Sequence, residues 1–133
     1  MVNSRQKGKR GEREFRDLLR AHGWTEARRG QQFAGGPDSP DVMGGPAGFH
    51  FEVKYGARNN IEKAMVQAMD DSAIADIPVV ASRVTSRGKS GEWLLTIHAE
   101  DLLPLLRELE TLRRTPDRKS TRLNSSHLVI SYA

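Results

Sequence analysis

The chain has 133 residues, a formal net charge of +4 and 37% hydrophobic residues, enough for one domain with a modest core and too few for a two-domain enzyme. It contains no cysteine, which excludes a disulfide-stapled secreted scaffold and any thiolate metal site. No run approaches the roughly 20 apolar residues of a membrane span, and no signal-peptide pattern opens the chain, so we expect a cytoplasmic protein.

The first third of the chain predicts a helix, a strand and a loop. Residues 1–7 are polar and predict a disordered basic arm. From about Gly8 to His22 the apolar residues recur at helical spacing, and Gly8 and Gly11 on the same stripe would let this helix approach another element closely. Residues 24–33 predict a strand, and the run AGGPDSP after it predicts a loop.

The middle of the chain predicts two short strands and a helix. Residues 41–43 begin a strand, and GGPAG turns the chain back. From Phe49 to Tyr55 apolar and polar residues alternate, which predicts a half-buried strand. Asn59 or Asn60 can cap a helix that runs to about Ala75. The predicted apolar face of this helix consists of Ile61, Ala64, Met65, Ala68 and Met69.

The last elements predict a hairpin and a leucine-rich helix. Residues 77–84 and 92–98 predict two strands joined by the basic turn SRGKSGE. Residues 101–113 predict a helix with Pro104 near its first turn. The order α-β-β-β-α-β-β-α predicts an α/β fold, with a mixed β-sheet flanked by helices.

The final segment, residues 117–133, reads DRKSTRLNSSHLVISYA and has no apolar period. It resembles an in-frame translation of a common sequencing-library adapter. We therefore leave it out of the fold prediction and assign residues 1–116 to a single domain. The alternative is a genuine polar tail with a short C-terminal strand.

Two carboxylates and a lysine fall on the predicted strands around the GGPAG turn. In the alternating strand, Glu52 and Lys54 project from the same face. Asp41 opens the preceding strand, and the turn between them can bring Asp41 close to Glu52. Two neighbouring carboxylates are unfavourable unless a cation lies between them, and Mg²⁺ takes such oxygen ligands. The backbone carbonyl of Val53 could supply another oxygen, with Lys54 pointing toward bound water or phosphate.

The charge distribution suggests a polyanionic partner beside this acidic group. Residues 1–29 hold nine Lys or Arg against four Asp or Glu, whereas residues 30–79 hold three against seven. A basic segment followed by an acidic one suggests phosphate contacts next to a carboxylate cluster. A solvated arm with ordinary surface acids is the alternative.

The pair P-D at residues 40–41 and E-x-K at residues 52–54 resembles the PD-(D/E)XK nuclease superfamily. The basic segment RQKGKRGEREF, the run RRGQQFAGGPDSPD before the motif aspartate and the helix NNIEKAMVQAMDDS after the E-x-K strand are similar to its Holliday junction resolvase-like branch, which has phage and bacterial members. The resemblance covers roughly residues 5–106. It implies a restriction-endonuclease-like core in a protein of a bacterial cell or a phage-infected host.

The resemblance also implies roles for individual residues. Asp41 and Glu52 would be metal ligands, Lys54 the catalytic lysine, and Glu12 and Gln67 accessory groups of the site. Surface positions are the alternatives for Glu12 and Gln67. Asp38 competes with Asp41, because GPDSPD contains two Pro-Asp pairs; we prefer Asp41 because apolar residues follow it directly. The implied cofactor is Mg²⁺, for which Mn²⁺ can substitute, and His50 is not expected to be a ligand.

The sequence therefore predicts a metal-dependent endonuclease that hydrolyses phosphodiester bonds, on branched DNA if it is resolvase-like. A general nuclease acting on flaps, ends or duplex is one alternative, and a non-catalytic DNA-binding subunit of the same fold is another. The turn residues Arg87 and Lys89 could add to the DNA contacts, as could Gln32. The main predicted DNA-binding residues are Arg5, Lys7, Lys9, Arg10, Arg28, Arg29 and Gln31.

A homodimer is also expected, because two symmetric cuts at a four-way junction need two active sites. The leucines of residues 102–112 form more than one stripe and could serve both the core and an interface. The alternative is that all of them pack within one monomer.

Overall fold

The computed structural model describes residues 4–30 and 40–115. Contacts within the chain divide it into two compact units, residues 1–98 and residues 99–133. The predicted single domain of residues 1–116 spans both of them. The predicted DNA contacts Gln31 and Gln32, the competing Asp38 and the adapter-like tail lie outside the described residues.

The described part of the first unit contains two helices and six strands. Their order is α1 (Ser4–Ala21), β1 (Arg28–Arg29), β2 (Val42–Met43), β3 (Phe49–Gly56), α2 (Ile61–Asp71), β4 (Ile77–Ser86), β5 (Lys89–Ser90) and β6 (Leu94–Thr96). The described part of the second unit contains α3 (Ala99–Arg114).

The sheet is mixed, as predicted, and its centre is the parallel pair of β3 and β4. Residues 49–56 pair in register with residues 77–84, and α2 makes the crossover that parallel strands require. On one side, β2 pairs with β3 and β1 with β2, both antiparallel. On the other side, β4 pairs antiparallel with both β5 and β6. The predicted α/β architecture with flanking helices is confirmed.

Two apolar clusters lie on opposite faces of the sheet, because successive residues of a strand alternate in direction. The first unites Phe15 and Leu19 of α1 with Phe51, Val53 and Val79. The second unites Ala64 and Met65 of α2 with Val80 of β4. Helix α1 therefore covers one face of the sheet and α2 the other.

Helix α1 is longer at its N-terminus than the sequence predicts. It begins at Ser4, so residues 4–7 form its first turn and are not a disordered arm. Lys, Arg and Gln are good helix formers, and their polarity is compatible with an exposed helix face. Gly23, at φ 107°, ends the helix region as predicted. Because residues 22–27 form the closing turns, the described part of the predicted strand 24–33 is reduced to β1.

Gly11 is a point of close approach between α1 and the sheet. A Cβ at this position would lie 2.5 Å from the Cβ of Tyr55, whereas a Cβ at Gly8 would meet nothing within 4 Å. The expected close approach is thus confirmed at Gly11 and wrong at Gly8.

Gly11→Ala is expected to destabilise the protein by about 1–3 kcal/mol, because the methyl group overpacks a buried contact. Gly8→Ala is the matched control and should be neutral or stabilising by up to about 1 kcal/mol, since alanine favours the helix. Thermal unfolding of both variants measures the difference. Equal melting temperatures for the two would contradict the contact with Tyr55.

Helix α2 is capped as predicted but ends early. The side chain of Asn60 accepts a hydrogen bond from the backbone N–H of Lys63, and the helix ends at Asp71 instead of Ala75. Ala64, Met65 and Ala68 are buried, as the spacing predicts. Met69 is 50% exposed, so its predicted place on the buried face is wrong.

In place of the single hairpin predicted after α2, β4 pairs with two short strands, β5 and β6. Strand β4 continues to Ser86 and turns at Arg87 and Gly88 into β5. Both turn residues have positive φ, 53° and 76°, as in the type I′ turns that suit two-residue hairpins. Among the described residues, Arg87 is the one non-glycine with positive φ, a conformation that costs on the order of 1–3 kcal/mol.

Helix α3 has no fully buried residue. Its exposed leucines are Leu103, Leu106, Leu109 and Leu112. In the described ranges, no helix combines the length and hydropathy needed to cross a membrane.

Candidate active site

The backbone of Asp41 is held between β3 and the residue that follows β1. Its N–H donates to the carbonyl of Phe51 at 3.0 Å, and its own carbonyl accepts from the N–H of Gly30 at 2.9 Å. Its Oδ2 accepts a hydrogen bond of 2.8 Å from the backbone N–H of Val53. Asp41 therefore extends the pairing of β2 with β3 by a side-chain contact, which fixes its carboxyl group against the edge of β3.

The carboxyl groups of Asp41 and Glu52 meet, as the sequence predicts. Each carboxyl group influences the pKa of the other, and two carboxyl groups can share a hydrogen bond only when one of them is protonated. Glu52 is only 3% exposed. Burial, and then the negative charge of Asp41, raise the pKa of Glu52. Burial also raises the pKa of Asp41, against the opposing hydrogen bond from Val53.

Lys54 lies beside this pair. Its Nζ is 3.9 Å from Oε2 of Glu52, and its side chain is 35% exposed. The positive charge of Lys54 works against the rise in the pKa of both carboxyl groups. The ammonium is thus placed between a buried acidic pair and solvent, where a ligand can reach it.

Glu12 approaches the site from α1. Its negative charge contributes to the raised pKa of Asp41, so the helix brings a third acid into the electrostatic environment of the pair. Glu12 is 7% exposed, and its Oε1 accepts a hydrogen bond of 3.0 Å from Nε of Arg29. The surface position considered for Glu12 is wrong. Arg29, predicted as a DNA contact, forms an ion pair with this buried acid.

A cation can offset the repulsion between Asp41 and Glu52 when both carboxyl groups are ionised. The group offers only oxygen ligands, which suit Mg²⁺ and Mn²⁺. Within residues 4–30 and 40–115 there is no group of three or more His, Asp or Glu side chains that could hold a metal ion. The predicted ligand set is smaller than such a group: two carboxylates and the Val53 carbonyl, at the edge of β3 where the Val53 N–H faces Asp41.

Gln67 is predicted as an accessory group of the site, and His50 is not expected to be a ligand. Gln67 is exposed on α2, and no hydrogen bond given for the described residues joins it to Asp41 or Glu52, so its role as an accessory group stays a prediction. His50 is buried, and its Nε2 has no hydrogen-bond partner in the described part of the chain. Burial lowers the pKa of His50, against the opposing negative charges of Asp71 and Asp76.

The predicted DNA contacts on α1 line a cavity of about 700 Å³ between this helix and the β4–β5 hairpin. Arg5 is exposed on the same helix, and Arg28 is exposed on β1. We call this cavity the basic cleft, and define it by its six cationic residues. They are Lys7, Lys9, Arg10, Arg13, Arg87 and Lys89.

The sequence analysis does not predict Arg13 as part of the basic cleft, although its helical spacing from other polar residues indicates it. Gln6, Lys9, Arg10 and Arg13 stand at positions i, i+3, i+4 and i+7, which places them on one face of a helix. The expected disordered arm concealed this pattern, because the periodicity is meaningful only if the helix begins before Gln6.

Glu14 was also missed, and it connects three elements beside the cleft. Its carboxylate accepts hydrogen bonds from Tyr55 Oη on β3 at 2.8 Å, from Arg83 on β4 at 2.8 Å and from Arg10 at 3.1 Å. Burial raises the pKa of Glu14, but these three hydrogen bonds outweigh it and lower the pKa overall. Arg83 also stacks over Trp93, 5.8 Å from the ring centroid. This network holds one wall of the basic cleft in place.

Comparison with known proteins finds no matching family model, no matching curated protein and no matching solved structure.

Proposed function

We propose that the protein is a metal-dependent DNA endonuclease with a restriction-endonuclease-like core, acting on branched DNA in the manner of Holliday junction resolvases. The observation that carries this proposal is the convergence of Asp41, Glu52 and Lys54. Two carboxyl groups interact at the edge of β3, and an ammonium group lies 3.9 Å from the second of them. Burying two acids together destabilises the fold. DNA binding alone does not require such a pair, so its presence favours a catalytic role.

Asp41 and Glu52 would hold Mg²⁺, or Mn²⁺ in its place, with the carbonyl of Val53 as a third oxygen ligand. When bound, the metal lowers the pKa of a water molecule and stabilises negative charge on a phosphate. The backbone N–H of Val53 keeps the Asp41 carboxylate oriented toward β3. Glu12 adds a further acid near Asp41, and its negative charge is balanced by the ion pair with Arg29.

Lys54 would act on the phosphate and on the attacking water. Its ammonium group can donate to a phosphate oxygen and screen the charge that builds there as the phosphorus–oxygen bond breaks. Because Lys54 remains one third exposed while Glu52 is buried, it can meet a substrate that approaches from solvent. The exposed cations of α1 would bind neighbouring phosphates and make the affinity sensitive to salt.

Cleavage assays with the full chain test this function. We expect cleavage of a branched DNA in the presence of Mg²⁺ or Mn²⁺ and none with a chelator. Cleavage that persists at full rate in the chelator would refute the metal-dependent mechanism. Equal cleavage of branched and linear DNA would favour a general nuclease.

A homodimer is expected at micromolar concentration, since paired cuts at a junction need two active sites related by two-fold symmetry. The exposed leucines of α3 are the candidate interface. Light scattering of the full chain measures the mass. A monomeric mass, together with unpaired cuts, would contradict the resolvase-like arrangement while leaving the site residues as assigned.

A further inference from the structure

The basic cleft presents positive charge from two facing walls. Lys7, Lys9, Arg10 and Arg13 come from α1, and Arg87 and Lys89 come from the β4–β5 hairpin. The hydroxyl-bearing residues Tyr55, Thr85, Ser86 and Ser90 also line it, and no acidic residue does; the Tyr55 hydroxyl donates to Glu14. A cavity lined by cations and hydroxyl donors suits an anion with several oxygen atoms, such as phosphate.

Most of this charge is not neutralised within the protein. Arg10 pairs with Glu14, but the ion pairs of the described ranges include none of the other five cations. Like charges held this close repel one another unless an anion enters. Because the six cations are spread over two walls, one small ion cannot contact them all, whereas a chain of phosphates can.

Lys7 of the basic cleft lies near the end of β3, the strand that carries Glu52 and Lys54. A Cβ at Gly56 would lie 3.5 Å from Nζ of Lys7, so this amine stands at the end of β3. Gly56 is two residues beyond Lys54, which is about 7 Å along a strand. Tyr55, between them in sequence, projects from the opposite face of the strand to Lys54 and lines the cleft. A nucleic-acid strand whose phosphate reaches Lys54 could therefore continue into the basic cleft.

The size of the cleft points to a single strand. A volume of about 700 Å³ lies within the range of about 300–1,000 Å³ that holds small organic ligands, so a few nucleotides can enter the cleft, whereas a duplex could lie only across its opening. We propose that the basic cleft binds an unpaired DNA strand that leaves the duplex next to Asp41, Glu52 and Lys54. This inference rests on the proposed function for the identity of the strand.

The conformation of Arg87 is an independent observation in favour of the cleft. It occupies the left-handed region, at φ 53°, where asparagine or glycine is preferred in a type I′ turn. A long cationic side chain is thus kept at a position whose backbone disfavours it. Backbone strain of this kind is concentrated at ligand-binding sites, and here it holds a guanidinium group at the rim of the cleft.

The test is DNA binding by the variant Arg87→Asn/Lys89→Gln. Asparagine suits the turn, so the variant should fold, which its melting temperature checks. Arg107→Gln/Arg114→Gln removes the same charge from exposed positions of α3 and is the matched control. The probes are a short oligothymidylate, a blunt duplex of equal length and inorganic phosphate. Binding is measured with a chelator present, so the result does not depend on cleavage.

We expect the variant Arg87→Asn/Lys89→Gln to bind oligothymidylate on the order of tenfold more weakly at low salt. The slope of log binding constant against log salt concentration should become shallower by about 0.7 for each phosphate that the variant no longer neutralises. Duplex binding should change less than about twofold by the same reasoning, and the control should bind both like the wild type.

Equal weakening on oligothymidylate and duplex, or no weakening on either, would overturn the proposal. Displacement of the oligothymidylate by low concentrations of inorganic phosphate would instead show a site for a single ion. A chain that binds oligothymidylate as expected but never cleaves DNA would refute the nuclease and leave the cleft as assigned.

Discussion

Asp41→Asn and Glu52→Gln are each expected to lower the cleavage rate on the order of a hundredfold or more, because each removes a ligand that acts in the transition state. DNA binding should be unchanged or tighter, since each change also removes negative charge from beside a phosphate. Both substitutions keep the size of the side chain, and the amides can still hydrogen-bond across the pair. Cleavage and binding are measured on the same branched DNA.

Asp70→Asn is the matched control for these variants, because Asp70 is exposed on α2, outside the Asp41–Glu52 pair. It should cleave DNA like the wild type. If Asp41→Asn retains wild-type activity, the assignment of Asp41 is wrong and Asp38 becomes the candidate. If all three variants lose activity equally, the loss reflects net charge and not the site.

Lys54→Ala is expected to be inactive, and Lys54→Arg to be badly impaired as well. Lysine places a compact charge that can approach both Glu52 and a phosphate, whereas arginine presents a planar fork with a different reach. The guanidinium group introduced by Lys54→Arg would also remain charged at any working pH, so it could not give up a proton to assist the reaction. Single-turnover cleavage in Mg²⁺ measures the effect apart from binding.

Lys63→Ala and Lys63→Arg are the controls for charge, because Lys63 is exposed on α2 and lies outside the cleft and the carboxylate pair. Both should retain activity. Full activity of Lys54→Arg together with an inactive Lys54→Ala would show that Lys54 supplies only positive charge, and would remove its proposed role in orienting water.

The central strand shows how far periodicity alone can predict this site. Alternation from Phe49 to Tyr55 correctly placed Phe51 and Val53 in the core and Glu52 with Lys54 on the other face. The turn GGPAG correctly implied that Asp41 would return to Glu52. These predictions succeed because strand alternation and a short turn are local, and their geometry depends on few neighbours.

The contacts that the sequence did not predict join residues distant in the chain. Glu14 meets Arg83 across 69 positions, and Arg29 meets Glu12 across 17. Neither the burial of Glu12 nor the carboxylate shared by Tyr55 and Arg83 follows from any local pattern, because both depend on how α1 crosses the sheet. The start of α1 was misjudged for a related reason: polar residues were interpreted as disorder, although a helix with one exposed face tolerates them.

The edges of the sheet have a consequence for how two copies could associate. In the described ranges the outermost strand on one side is β1, with two residues, and on the other side β5 and β6 have two and three. The eight-residue ladder between β3 and β4 is enclosed between them. Short edge strands offer few unpaired backbone groups to a neighbouring chain. Association through these described edges would therefore be weak, and a stable dimer would have to be held together by side-chain surfaces such as the leucines of α3, with little risk of open-ended strand addition.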